Sequence, residues 1–276
     1  MENTLENALE FIQTRDIVWN VKQLIGVLHL PPLPGSPGWE KAGLEEIVAR
    51  ARADADTLVE AGFDAIIVEN FGDAPFFKSE VPRVTLTVMA SLIAALQLDN
   101  NVHLGVNVLR NDALGALAVA AATDASFIRV NVHVGAMLTD QGLIEGRAAE
   151  TLRRRTEWAP NVKILADVAV KHAQPLGEFD LVQTARDTLE RGLADGLIVT
   201  GKGTGQGASL DDVRRIKSEI PEASVLVGSG VDHTSVKRVL SVADGVIVGT
   251  ALKVDGCVRN AVDINRAKAF VQAARS

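Results

Sequence analysis

Residues 60–70 read EAGFDAIIVEN, residues 189–201 read LERGLADGLIVTG, and residues 240–250 read LSVADGVIVGT. Each phrase is the end of an amphipathic segment, a Gly or Ala turn, an aspartate, and then a short apolar run. The runs are rich in Val, Ile and Leu and almost uninterrupted. Strands covered on both faces look like this, because alternation disappears when neither face meets water. Runs of the same kind recur at 24–30, 64–69, 102–108, 127–133, 163–167, 196–200, 224–228 and 245–249.

Helical patterns fill the gaps. Leu44–Ala61 sets Ile47, Ala51, Leu58 and Ala61 on one stripe and stops at Gly62, a common C-terminal residue. Pro82 opens a helix predicted to reach residue 98, and Asp112 caps another running to 122. Further helices are predicted over 146–158, 179–191, 209–220, 232–240 and 262–274. Repeated strand-then-helix units with right-handed crossovers imply a parallel sheet. Eight units in a 276-residue chain match the size and count of a single (β/α)8 barrel, an α/β fold. The rival is a doubly wound open sheet. The repeated phrase favours the ring, although Asp-Gly turns before strands are common in any α/β protein.

No change of composition divides residues 21–276, which read as one barrel domain. Residues 1–20 form an amphipathic extension, with Leu5, Ala8, Leu9 and Ile12 at helical spacing. The extension reads as a lid packed on the main domain, with a partner-binding arm as the alternative. It carries acids where a signal peptide needs a basic start.

Composition excludes several classes. A hydrophobic content of 47% is too high for disorder. No stretch approaches the ~18 uninterrupted apolar residues of a membrane span. A net charge of −7 argues against a nucleic-acid surface or a polybasic membrane anchor. One cysteine, Cys257, excludes an internal disulfide framework and a Cys-cluster zinc site. The simplest reading is a cytoplasmic protein; its oligomeric state is open, a homo-oligomer included.

In such a barrel the active site gathers at the C-terminal ends of the strands. The first run ends at His29, the second at Glu69 and Asn70, the third at Asn107. The fourth carries Arg129, Asn131 and His133 at alternating positions, so all three are predicted to face one way. The fifth ends at Asp167 and the sixth at Thr200. Strand ends also meet solvent, and any one polar residue there needs no function. As a set they do, because buried Glu69, Arg129 and Asp167 are costly unless paired or liganded.

Gly228-Ser229-Gly230 follows the seventh run and Gly249-Thr250 the eighth. Loops after the last two strands form the common phosphate site of these barrels, where backbone N–H groups hold the anion. Tight turns of small residues would look similar. The segment GKGTGQG (201–207) lacks the Walker spacing and reads as a βα loop closing over a ligand, with Lys202 as its cation.

Other chemistry is not supported. HExxH, CxxC and GxSxG are absent, and GxGxxG is missing from the first βα turn. Lys163 starts its strand, so no Schiff-base lysine sits at the mouth. No cofactor is expected. A divalent metal on Glu69, Asp167 and a histidine such as His29 or His133 suits the donor types, but spacing does not establish it.

The residues point to an enzyme acting on a small phosphorylated molecule, a sugar phosphate or nucleotide-like compound. Glu69 and Asp167 are the expected acid/base pair, with Arg129 and Asn131 orienting the substrate or stabilising an oxyanion, and His29 beside them. Asn107, Thr200, Lys202, Gly228, Ser229, Gly230, Gly249 and Thr250 are the expected substrate and phosphate contacts. Isomerisation, epimerisation, lyase and hydrolytic chemistry all remain open. The alternative is a non-catalytic assembly or stabilising factor, which a large exposed apolar patch would favour.

Long motifs sharpen this reading. LIGVLHLPPLPGSP (24–37), DAIIVENFGDAPF (64–76), GVNVLRNDALGALAVA (105–120), FIRVNVHVGAMLTDQGLIEG (127–146), ADVAVKHAQPL (166–176), IVTGKGTG (198–205), GSGV and IVGTALK resemble the BtpA/SgcQ family. The resemblance runs from about residue 20 to the C-terminus. It implies a TIM barrel of the ribulose-phosphate-binding type. One branch implies photosystem I biogenesis with peripheral membrane association; the SgcQ branch implies carbohydrate metabolism.

Overall fold

A computed structural model describes residues 22–40, 43–98, 101–170, 172–201 and 207–276. The expected extension over residues 1–20 and the candidate cation Lys202 lie outside them. Eight parallel strands close into a barrel. They are β1 (Gln23–His29), β2 (Ala65–Glu69), β3 (His103–Asn107), β4 (Phe127–Val130), β7 (Lys163–Ala169), β9 (Gly196–Val199), β10 (Val225–Val227) and β11 (Gly245–Val248), in that order around the ring. All eight apolar runs are barrel strands, which settles the choice between closed ring and open sheet.

Eight helices among the described residues follow the strands: α1 (Leu44–Ala61), α2 (Arg83–Leu96), α3 (Ala113–Thr123), α4 (Ala148–Trp158), α5 (Leu181–Arg186), α6 (Leu210–Glu219), α7 (Val236–Leu240) and α8 (Ile264–Arg275). Their starts follow the local chemistry. Asp112 accepts the Gly115 N–H at 2.7 Å, and Asp263 accepts those of Asn265 and Arg266. The predicted helix over 179–191 is α5 continued by a π turn, Asp187–Arg191. The predicted 232–240 helix shortens to α7, because Asp232 uses its carboxylate to cap a turn through Thr234 and Ser235.

Two apolar layers hold the ring. The larger lies between strands and helices. The smaller fills the barrel and takes Ile25, Val27, Ala65, Ile67, Phe127, Leu165, Ile198, Leu226 and Ile247 from the inward faces of seven strands. At β3 the inward residue is Gly105, and a Cβ there would stand 2.2 Å from the Phe127 ring. The one large interior side chain thus occupies the space a glycine leaves. One residue pair further along the same faces lie Glu69, Asn107, Arg129 and Asp167, directly above this apolar plug.

The repeated aspartate has a structural cause. Asp64 accepts the Leu24 N–H at 2.7 Å, Asp195 that of Ile164 at 2.8 Å, and Asp244 that of Val225 at 2.9 Å. In each case the aspartate preceding one strand binds the start of the adjacent strand. Each also meets a cation: Arg275 on Asp64, Arg155 on Asp195, Lys217 on Asp244. These clasps close the N-terminal rim of the barrel.

The sequence reading missed a small sheet. β5 (Ala136–Thr139) pairs antiparallel with β6 (Gly142–Glu145) and with β8 (Ala173–Pro175). It joins the loops after β4 and β7. Val132, Met137, Ile144 and Val170 bury its inner face. Leu138 and Leu143, paired across the two strands, stand exposed on the outer face.

Candidate active site

The C-terminal mouth encloses a cavity of about 440 Å³. Its floor is Val27 and Ile247 of the interior layer, and its walls come from strand ends around the ring. Of the residues singled out in the sequence, His29, Glu69, Asn107, Arg129, Asn131, Asp167, Gly228, Ser229, Gly230, Gly249 and Thr250 line it. Thr200 does not; it is buried, with its methyl group beside Gly228.

Arg129 organises the charged side. Its Nε and Nη2 donate to the two oxygens of Asp167 at 3.0 Å each, a bidentate pair. Its Nη1 donates to Glu69 Oε1 at 3.2 Å. All three side chains are at most 7% exposed. Burial works against the arginine's charge, but Asp167 and then Glu69 more than offset it, and the Arg129 pKa is raised. Asn131 Nδ2 donates to Asp167 Oδ2 at 3.2 Å. Asn107 Nδ2 donates both to the Arg129 carbonyl at 3.0 Å and to Asn131 Oδ1 at 3.1 Å. A carbonyl only accepts, so the Asn107 amide has one orientation, and it fixes that of Asn131 in turn.

His133 departs from the expectation that it faces the mouth. Pairing of β4 with β7 stops at Val130. Beyond it Asn111 clamps Val132 from both sides, accepting its N–H at 2.8 Å and donating to its carbonyl at 2.9 Å. The alternation ends there. The His133 ring turns onto the Gly192 carbonyl at 2.8 Å, and burial lowers its pKa. Glu69 and Asp167 are therefore bridged by the Arg129 guanidinium, with His133 elsewhere. Among the described residues no group of three His, Cys, Asp or Glu is arranged to hold a metal ion.

The rest of the wall is largely backbone and reaches the charged cluster, since a Cβ at Gly228 would stand 3.6 Å from Arg129 Nη2. In the order of the ring, β10 stands across from β3 and β11 across from β4. Gly230 has a φ of +66°, a conformation suited to glycine. A Cβ at Gly249 would stand 2.5 Å from His29 Cε1, so that glycine lets the imidazole against the loop. Phe71 packs on the other side of His29, with ring centroids 4.7 Å apart. Ser229 Oγ accepts the Gly201 N–H at 2.7 Å, tying the loop after β10 to that after β9. Among the described residues, the N–H groups of Gly230, Val231, Thr250 and Ala251 donate to no backbone carbonyl. Thr250 and Ala251 open a short 3₁₀ turn, Thr250–Leu252. Behind it, buried Lys253 holds Asp54 of α1 at 2.6 Å, and Asp54 accepts the Val262 N–H at 2.7 Å. Burial lowers the Lys253 pKa, against the pull of Asp54.

Arg110, His172 and Asp232 also line the cavity and were not singled out in the sequence. Arg110 lies three positions past the end of β3 and is 9% exposed. It belongs to the run Asn107 to Asp112, NVLRND, inside one of the family-like motifs.

These features define a class: a (β/α)8 barrel whose mouth holds both a buried charged cluster and the glycine loops. The chain belongs to the BtpA family, whose model matches residues 20–276. It is 46% identical over 250 residues to the photosystem I biogenesis protein BtpA of Synechocystis, covering 91% of this chain and 87% of that one. It is 31% identical to the putative sgc region protein SgcQ of Escherichia coli, covering 94% and 96%. Among solved structures it is similar to a phosphoribosyl anthranilate isomerase in complex with reduced 1-(o-carboxyphenylamino)-1-deoxyribulose 5-phosphate. That likeness has a TM-score of 0.56 at 12% identity, covers 92% of this chain and 99% of that one, and shows the fold. No helix among the described residues is long and apolar enough to cross a membrane.

Proposed function

We propose that this protein is an enzyme acting on a small phosphorylated metabolite by acid/base chemistry. The observation that carries the reading is that one cavity is lined by both the glycine loops and the buried charges. Part of its wall offers backbone N–H groups, at Gly230, Val231, Thr250 and Ala251, that donate to no backbone carbonyl among the described residues. Such groups at the end of a parallel strand suit a phosphate. The same cavity holds two carboxylates and an arginine out of water, where electrostatic interactions are strong. The isomerase with the same fold binds a ribulose 5-phosphate derivative, which supports the phosphate side by analogy.

The roles divide between the carboxylates. Asp167 has both oxygens engaged by Arg129 and Asn131, so it positions those two side chains. Glu69 lines the cavity beside Arg129 and is the carboxylate assigned to proton transfer. Arg129 and Asn131 stabilise negative charge developing on the substrate. His29, against the Gly249 loop, is placed for the phosphate end.

A thermal-shift screen of phosphorylated metabolites tests this, since a ligand specific for the native state raises the melting temperature by mass action. The expected result is stabilisation by a phosphate ester that is absent in Gly230→Leu, with that variant still melting cooperatively. Equal stabilisation of both proteins would overturn the phosphate assignment.

A second reading, a non-catalytic assembly factor, is favoured by the name of the 46% identical relative and by exposed Leu138 and Leu143. The 31% identical Escherichia coli relative is named for the sgc region and not for photosystem assembly.

A further inference from the structure

The chain is poor in aromatic residues, with eight phenylalanines, three tryptophans and no tyrosine. Its core is largely aliphatic, and the layer inside the barrel holds one aromatic ring, that of Phe127. Yet Phe71 and Phe76, both half-buried, line the cavity at the mouth. They ride on the loop after β2, which its neighbours pin in place. Gly72 N–H donates to the Leu30 carbonyl at 3.0 Å, and a Cβ at Gly72 would overlap the Pro31–Pro32 backbone. Asp73 accepts the Leu33 N–H at 2.8 Å and an Asn70 Nδ2 hydrogen at 3.1 Å. The Phe77 carbonyl accepts the Arg110 N–H at 3.0 Å. Among the described residues no ring packs on Phe76, whereas Phe71 packs on His29. His29 in turn stands against Gly249, so one imidazole links this aromatic part of the wall to a glycine loop.

We propose that Phe71 and Phe76 form a ring-binding subsite and that the substrate is a phosphate ester carrying an aromatic ring on a short spacer. This selects the nucleotide-like class over a bare sugar phosphate. The inference rests on the phosphate reading above for the anionic end of the ligand. The ring end is argued from the phenylalanines themselves. A phenylalanine side chain has no hydrogen-bonding group, so in a cavity that also holds charges it recognises flat apolar surface. Rings left half-exposed give up water when a ligand ring covers them, which is favourable. A loop already held by its neighbours needs little ordering on binding. The cavity, at about 440 Å³, is of a size that takes small organic ligands. The shared contact with His29 keeps the spacer short, because phosphate at Gly249 and a ring at Phe71 lie about one imidazole apart.

The test uses matched probes measured by calorimetry: benzyl, 2-phenylethyl and 3-phenylpropyl phosphate, their cyclohexyl counterparts, ethyl phosphate and inorganic phosphate. At one spacer length the wild-type protein should bind the phenyl ester about tenfold or more tighter than ethyl phosphate, as covering an apolar ring implies. It should also prefer the phenyl ester to its cyclohexyl counterpart. In Phe76→Ala the phenyl preference should fall by about tenfold, while affinity for inorganic phosphate stays within about threefold. In Phe76→Leu, which keeps an apolar side chain, the preference for phenyl over cyclohexyl should vanish. Absence of a phenyl preference in the wild type at every spacer length overturns the inference. So does equal affinity for phenyl and cyclohexyl esters in the wild type, or an equal loss for all probes in Phe76→Ala. Gly230→Leu separates the two claims. If inorganic phosphate binds that variant as well as wild type, the glycine-loop reading falls. A Phe76-dependent preference for the phenyl ring would still stand.

Discussion

The two rims of the barrel use the same residue types in opposite ways. At the N-terminal rim Asp64, Asp195 and Asp244 give their oxygens to the backbone N–H groups of neighbouring strands and take their cations from the part-exposed side. At the C-terminal rim buried Glu69 and Asp167 give theirs to Arg129 and Asn131. The lower charges finish the sheet. The upper ones meet in one buried cluster, above an apolar plug and below a cavity. Charge that serves the backbone has an evident structural purpose. Charge kept out of water to pair with other side chains contributes little net stability and calls for another purpose.

Removing one charge at each rim should separate the two roles. Arg129→Met strands two buried carboxylates and should cost about 3–5 kcal/mol, the largest effect. Asp195→Ala leaves the Ile164 N–H without its acceptor and should cost about 1–3 kcal/mol, with little change between pH 5 and 7 because no buried charge is stranded. Urea titrations at the two pH values measure both. Equal losses would dissolve the contrast.

A smaller effect lies just outside the mouth. Burial lowers the His133 pKa below its ordinary value of 6.5. Between the two values the unfolded chain holds the proton and the folded chain does not. Stability is therefore full above the unfolded pKa and declines as the pH falls through it toward the depressed folded value. His133→Gln should remove part of the acid-side slope near pH 6. An unchanged slope would mean that His133 titrates alike in both states.

The fold was legible because its signals are local and repeated. All eight strands announce themselves as apolar runs, and the Asp before three of them marks the same clasp each time. Glu69, Arg129 and Asp167 were legible as charges inside runs that water does not reach. What the sequence hid is non-local. β5, β6 and β8 are three- or four-residue strands whose pairing joins two different loops. His133 broke the alternation because Asn111, from another strand's loop, takes hold of Val132. Arg110 lies past the end of its strand, where periodicity has stopped and only the surrounding hydrogen bonds show which side chain enters the cavity.

The central claim is that an anion belongs at the mouth, on the glycine loops and not at the other rim. Titrating isotope-labelled protein with inorganic phosphate while following backbone amide resonances tests it most directly. The account predicts saturable shifts at Gly230, Val231, Thr250 and Ala251, with Leu24, Ile164 and Val225, the amides of the aspartate clasps, unmoved. Shifts centred on the clasps, or no saturable shift at the four glycine-loop amides, would contradict it.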